Sequence, residues 1–473
     1  MDWSLHTATA LTAALRAGDV TSEQLTDEAI ARIERDDHAV NAICAPDFDR
    51  ARAAARHADQ ARARGEDQPL LGIPVTVKEC YDLAGLPTTW GMPEHRDHHP
   101  AADAVQVTRL KQAGAVILGK TTVPLGLQDI QTFNDLHGTT RNPWDPDRTP
   151  GGSSGGSAAA LACGFGALSI GSDLGGSLRT PAHFCGVYAH KPTLGVAATR
   201  GMGAPPGPPS PAEHDLAVVG PMARSARDLT LLLDVMAGPD PLTHGKAYTL
   251  TLPPPRHDRI SGFRVLVLDD HPLIPTSAAV RAAVHRVADA LTSAGARVDR
   301  HSPLLPDLAD AATVYTRLLY SGSVARFEID EKQLHELELS HHEWLAINAR
   351  REHHRHSWRE FFATYDVVIS PITPTPAFPH DHHPDVMARK IDIDGRQHPY
   401  FDQLAWAGLA TMPGLPATAI PAGQNQDLPV GVQLIGPMFE DRTPLKLAEL
   451  LEPDLGGFRA PQPRASSTAS PVR

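Results

Sequence analysis

The chain has 473 residues and carries 55 Asp and Glu against 43 Lys and Arg, a formal charge of −12. It therefore has no excess of basic side chains for gripping nucleic acid or an anionic membrane surface. With 41% hydrophobic and 21% charged residues it has the make-up of a large globular protein, and no apolar run approaches the roughly 20 residues that cross a bilayer.

The first residues, Met1-Asp2-Trp3-Ser4-Leu5-His6, lack the basic and apolar segments of a secretory signal. The cysteines Cys44, Cys80, Cys163 and Cys185 are widely spaced with no C-x-x-C pair. Free, buried thiols in a reducing cytoplasm are the expectation.

In chain order, Thr21-Ser22-Glu23-Gln24 is a capping box opening a helix with Leu25, Ala29, Ile30 and Ile33 on one face. An alanine- and arginine-rich helix follows at about residues 48–64, and Val75-Thr76-Val77 forms a short strand with Lys78 at its end. Residues 103–114 are helical, and Ala115-Val116-Ile117-Leu118 is a strand. Ser157 to Ala162 starts a helix, Leu168-Ser169-Ile170 forms a strand, and Ser177 opens the next helix. Strands alternating with helices in this way predict an α/β protein with a mixed or parallel sheet. Further on, Gly201 to Pro211 and Pro253-Pro254-Pro255 are loops on either side of a helix from Ala226 to Met236, capped by Ser225. The tail from Pro461 to Arg473 has the composition of a disordered segment, and no internal repeat is present.

The chemistry gathers in two glycine-rich serine segments, Gly151-Gly152-Ser153-Ser154-Gly155-Gly156-Ser157 and Gly171-Ser172-Asp173-Leu174-Gly175-Gly176-Ser177, and in Gly72-Ile73-Pro74-Val75-Thr76-Val77-Lys78-Glu79 upstream. Glycine-dense loops let backbone N–H groups converge on an oxygen, which is how an oxyanion hole is built. A serine needs a base within hydrogen-bond reach, and no histidine adjoins either segment.

Other readings of these residues fail on context. Gly151 to Gly155 matches the G-x-S-x-G nucleophile elbow, but that elbow follows a strand, whereas Arg141 to Pro150 contains three prolines and forms a loop. The same loop lacks the G-K-[ST] ending of a phosphate-binding loop. The 25 histidines, including His341-His342, His353-His354-Arg355-His356 and His380-Asp381-His382-His383, include no H-E-x-x-H. They are expected on solvated helix and loop faces, with no metal and no cofactor.

Together the three segments resemble the amidase signature family. Its lysine stands in a G-[IV]-P-x-x-V-K-[DE] segment, matched by Gly72 to Glu79. Its cis-serine is the first serine of G-G-S-S-G-G, matched by Ser153. Its nucleophile lies in G-[ST]-D-x-G-G-S-[IL]-R, matched by Ser177. Ser153 follows Lys78 by 75 residues and Ser177 follows Ser153 by 24, as that family spaces them. The likeness continues through Ala84 to Thr89, Thr140 to Asp145, Phe184 to Val187, Lys191 to Thr193, Pro413 to Ala417 and Leu428 to Gly436, about residues 5–455 in all.

The resemblance implies one large domain over residues 1–460, with N-terminal helices in 1–65, a catalytic core in 66–236 and a C-terminal half in 255–460, then a disordered tail at 461–473. Its fold would be a large mixed central sheet flanked by helices on both faces. Ser177 would attack a carboxamide to form an acyl-enzyme. Ser153, after a cis peptide bond, would relay the proton to Lys78. The N–H groups of Leu174, Gly175, Gly176 and Ser177 would hold the oxyanion, with Ser154, Asp173 and Arg179 supporting the loop.

Lys78 must be neutral to act as a base, which burial away from carboxylates would achieve. Glu79 would point to the opposite face of the strand. The expected partner is a small-molecule amide, without nucleic acid or membrane, in a possible homodimer. Two other roles fit the same triad. One is the glutaminase component of an amidotransferase, although Pro124-Leu125-Gly126-Leu127-Gln128-Asp129-Ile130 departs from the D-E-F-x-M-G segment usual there. The other is acyl transfer to an amine. Specificity is expected in Trp90 to Pro100, Leu125 to Leu136, Gly201 to Pro211 and Tyr315 to Trp358, with Tyr320, Trp344 and Trp358 as candidate pocket walls.

Overall fold

The computed structural model describes residues 2–207, 215–324 and 337–462. The strands are β1 (Ile43–Pro46), β2 (Pro74–Lys78), β3 (Val116–Thr121), β4 (Phe133–Asn134), β5 (Gly138–Thr139), β6 (Leu168–Asp173), β7 (Tyr188–Lys191), β8 (Val218–Ala223), β9 (Arg264–Val267), β10 (Arg297–Asp299), β11 (Val367–Pro371), β12 (Lys390–Ile393), β13 (Arg396–Pro399), β14 (Ala417–Asn425) and β15 (Leu428–Ile435). Eleven of them form one sheet in the order β1-β3-β2-β6-β8-β7-β14-β15-β11-β9-β10. The pairs β2–β3, β2–β6, β9–β11 and β9–β10 are parallel and the rest antiparallel, so the sheet is mixed, as expected.

Both faces of the sheet are buried, which explains why the strands read as continuous apolar runs. In β3, Val116 and Leu118 pack into one cluster with Ala158 and Leu161 of the helix Gly155–Ala162, while Ile117 joins the opposite cluster with Val75, Val77, Leu168 and Ile170. Thr76 and Lys78 share a face of β2 by strand alternation, and the Thr76 hydroxyl donates to Ser169 Oγ at 2.9 Å.

The predicted elements are found, with shifted ends. The capping box at Thr21 starts Ser22–Val40, the alanine-rich helix spans Phe48–Ala63, residues 105–112 form the next helix, and Ser225 caps Ala226–Met236. The helix after the first glycine loop begins at Gly155, two residues before Ser157. Glycine is a poor helix former, but a methyl group at Gly156 would lie 2.5 Å from Thr122 N, so close packing requires what propensity disfavours.

One expectation is corrected at the site itself: the helix after the second segment starts at Arg179, not Ser177. Asp173 accepts from Gly176 N at 3.0 Å and Leu178 N at 3.1 Å, and Gly176 takes a φ of +93°, so residues 174–178 form a turn outside the helix. The loop expected at 201–211 is irregular as far as 207, and its remainder lies outside the described residues, as does the tail from 463. All four cysteines are free. No described helix is long and apolar enough to cross a membrane.

Candidate active site

Because β2 and β6 are parallel neighbours, with Val77 opposite Ile170, their C-terminal ends bring Lys78 beside Ser172 and Asp173. This is the edge of a parallel array at which ligands bind. The loop 151–154 arrives from the far side. Thr132 Oγ1 donates to Gly151 O at 2.7 Å, Gly151 N donates to Thr149 Oγ1 at 3.0 Å, and Ser154 N donates to Ser177 O at 3.2 Å. A methyl group at Gly152 would lie 2.2 Å from Gln131 O, so only glycine fits there. The Gly152–Ser153 peptide bond is cis.

Lys78 is fully buried and donates from Nζ to Ser153 Oγ at 2.7 Å and to Ser172 Oγ at 2.9 Å. Burial lowers its pKa to about 8, opposed by the thiol of Cys80 and the charges of Asp173 and Glu79. The Glu79 carboxylate is turned away from the amine. It accepts from Thr89 N, Thr89 Oγ1 and Trp90 N, and so fixes the chain that carries Trp90.

Ser177 stands half-buried on the wall of a cavity of about 290 Å³ that Ser153 and Ser172 also line. The Ser177 hydroxyl makes no hydrogen bond among the described residues; such contacts often close only when substrate is present.

Of the four backbone donors expected at the oxyanion position, Gly176 is removed, because its N–H is bound to Asp173. The N–H groups of Leu174, Gly175 and Ser177 remain without an acceptor among the described residues. Asp173 and Arg179 pair through two bonds, of 3.0 and 2.8 Å, both side chains fully buried. Burial raises the Asp173 pKa, but attraction to Arg179 outweighs it and leaves the carboxyl well below the usual range. Arg179 is held in turn by Gln433 Oε1 at 2.7 Å, Thr411 Oγ1 at 2.9 Å and Ala407 O at 3.1 Å. Ser154 donates to Ser172 O at 3.3 Å. Tyr315, from the helix Leu308–Val324, donates its hydroxyl to Leu174 O at 3.0 Å.

Of the loops expected to set specificity, Trp90, residues 126–130 and Met202 reach the cavity. Among the proposed aromatic walls only Tyr320 does so. Trp358 is 1% exposed and stacks on Phe362 in the core, and Trp344 packs beside Tyr315 instead of lining the cavity.

The sequence reading missed Ser172 as a second acceptor of the Lys78 amine, and Tyr315, Gln433 and Thr411 as supports. It also missed Met387, Phe401 and Leu404 as walls. Ser172 lies within the quoted motif, but nothing in the spacing distinguished it. The charged wall residue Asp129 is already engaged, by Arg389 at 2.5 Å and the Tyr400 hydroxyl at 2.6 Å. No Lys or Arg is among the described residues lining the cavity, and no group of three described His, Cys, Asp or Glu residues is arranged to hold a metal.

The amidase family model matches residues 24–340 and 323–445, and the chain belongs to that family. It is 33% identical over 483 residues to a glutamyl-tRNA(Gln) amidotransferase subunit of Roseiflexus sp. strain RS-1, covering 92% of this chain and 93% of the relative. It is 32% identical over 458 residues to the indoleacetamide hydrolase of Bradyrhizobium diazoefficiens, covering 93% and 84%. Among solved structures, a chain from a vestigial protein complex connected with the origins of an s-triazine catabolic enzyme superposes with a TM-score of 0.83 at 31% identity, covering 96% of this chain and 100% of that one.

Proposed function

We propose that the protein hydrolyses a neutral carboxamide with an apolar acyl group, using Ser177 as nucleophile and Ser153 and Lys78 as its proton relay. The observation that carries this reading is the buried Lys78 amine, 2.7 Å from Ser153 Oγ at the cavity wall where Ser177 stands. With a pKa of about 8, roughly a tenth of the lysine is neutral at pH 7, some hundreds of times more than for a free lysine.

Ser177 Oγ attacks the amide carbonyl carbon while its proton passes to Ser153, whose own proton passes to Lys78. A hydroxyl serves in the middle because it both donates and accepts. The oxyanion of the tetrahedral intermediate meets the free N–H groups at Leu174, Gly175 and Ser177. The intermediate collapses, breaking the C–N bond, and the amine leaves with the proton returned through Ser153. Water, activated by the same relay, attacks the ester and releases the acid. Every atom of the reaction comes from the protein, the amide and water.

Intact-protein mass after incubation with a fluorophosphonate tests this directly. One adduct on the wild type is expected, absent from Ser177→Ala and formed much more slowly in Lys78→Ala. An adduct retained in Ser177→Ala would refute the assignment.

The identity to amidotransferase subunits supports a second reading, a partner-bound glutaminase. Against it stands a described cavity lining without Lys or Arg to meet the α-carboxylate of glutamine. Ammonia release from glutamine by the chain with partner subunits, and no turnover of apolar amides by the chain alone, would reverse the preference.

A further inference from the structure

Next to the cavity that holds Ser177 lies a second one, of about 260 Å³. The two share four wall residues: Leu319 and Tyr320 from the helix Leu308–Val324, and Phe401 and Leu404 from the segment leading into the helix Leu404–Thr411. The shared residues bound both cavities and so form the partition between them. Each is only partly buried, as expected for rings and methyls with open space on two sides.

The second cavity also abuts the catalytic turn. A methyl group at Gly175 would sit 3.2 Å from Leu404 Cδ2 and 3.6 Å from Tyr315 Oη, and Tyr315 lines the second cavity while its hydroxyl binds Leu174 O.

This position selects one flank of the substrate. The departing nitrogen must face Ser153, from which it receives its proton, and Ser153 lines only the first cavity. The arm directed past Leu174 and Gly175 toward Leu404 is therefore the acyl group. Resting on the amidase reading above, we propose that the second cavity is a latent extension of the acyl site, and that Tyr320 and Phe401 set the acyl chain length the enzyme accepts. The natural acyl group then fills the first cavity and stops at these rings.

The test uses 4-nitroanilides of straight-chain acids from acetyl to decanoyl, and alkyl fluorophosphonates of matching lengths. Each buried methylene contributes about fourfold to kcat/KM, from about 0.8 kcal/mol. In the wild type this gain should end where the chain meets the partition. Tyr320→Ala and Phe401→Ala should each move the break to longer chains and raise the decanoyl-to-butanoyl ratio at least tenfold. Adding Ala405→Phe to Tyr320→Ala should restore the wild-type ratio, because Ala405 lines only the second cavity and its enlargement fills that space.

An unchanged ratio in both single variants, or a gain only for amides lengthened on the amine side, would overturn the proposal. The fluorophosphonates separate this failure from a deeper one. Labelling of Ser177 with a chain-length profile that no variant moves refutes the partition alone, whereas no labelling of Ser177 refutes the amidase reading beneath it.

Discussion

Replacing Lys78 by methionine should abolish turnover and yet make the protein more stable at neutral pH. Burial lowers the lysine pKa from 10.5 to about 8. The unfolded chain therefore binds more protons than the folded one between these values, and stability rises with pH through that window. Below pH 8 the full cost applies, about 3 kcal/mol at 1.36 kcal/mol per pKa unit. Methionine keeps the aliphatic stem and removes the charge. It also deprives Ser153 and Ser172 of a donor, at about 1 kcal/mol each. The net effect is about 1 kcal/mol of stabilisation at pH 7. At pH 10 most of the cost in the wild type has gone, so the variant should be the less stable by about 1 kcal/mol.

Urea unfolding followed by circular dichroism at both pH values measures this crossing. Turnover should fall by at least ~10³-fold, the scale of a lost general base. Lys78→Arg should be inactive and also destabilised, since guanidinium stays charged at either pH. A methionine variant destabilised equally at pH 7 and pH 10 would show that the amine is not held against its charge, and the account of Lys78 as a base would fail.

The pH dependence of kcat/KM for a neutral amide should rise about tenfold per unit up to a bend near 8 and then level, because the neutral amine is the active form. A histidine base such as the buried His183, lowered to about 4, would place that bend on the acid side. Arg179→Met should cost about 3–5 kcal/mol by leaving Asp173 buried and unpaired, and should collapse kcat with it; a variant of normal stability would show that the pair does not hold the turn. Tyr315→Phe, losing the 3.0 Å bond to Leu174 O, should lower kcat about tenfold with KM little changed. Equal kcat would remove Tyr315 from the support of the oxyanion site.

Much of this site was legible in the sequence because local motifs specify backbone shape as well as chemistry. The glycines around Ser153 are needed where Gly152 and Gly156 meet the backbones at Gln131 and Thr122, and the Val75–Lys78 alternation correctly set Lys78 and Glu79 apart. The parts that were missed depend on how the chain closes on itself in three dimensions, in tight turns as well as between distant segments. Gly176 reads as an oxyanion donor until Asp173 is seen to bind its N–H, and the same bond delays the helix to Arg179. Trp358 and Tyr320 look alike as helical aromatics, yet one is core and the other a cavity wall. The distinction comes from packing: Trp358 meets Phe361 and Phe362 one turn along its own helix, whereas Tyr320 lines a cavity together with Phe401, some eighty residues away. No local period encodes that shared wall.

The charge arrangement bears on substrate and product alike. Asp173 is neutralised by Arg179 and Asp129 by Arg389, so neither acidic wall residue offers a free charge to a ligand. A neutral amide enters such a cavity at little electrostatic cost. Hydrolysis then creates a carboxylate where the described walls provide no Lys or Arg to pair with it, and an unpaired charge is expensive to keep out of water. In the proposed reaction the acid product would thus find no counter-ion among the described wall residues. The same penalty acts on any substrate that already carries a carboxylate near its acyl carbon. The burial that lowers the Lys78 pKa against the opposing charges of Asp173 and Glu79 and the apolar cavity walls thus both fit the neutral amide proposed as substrate.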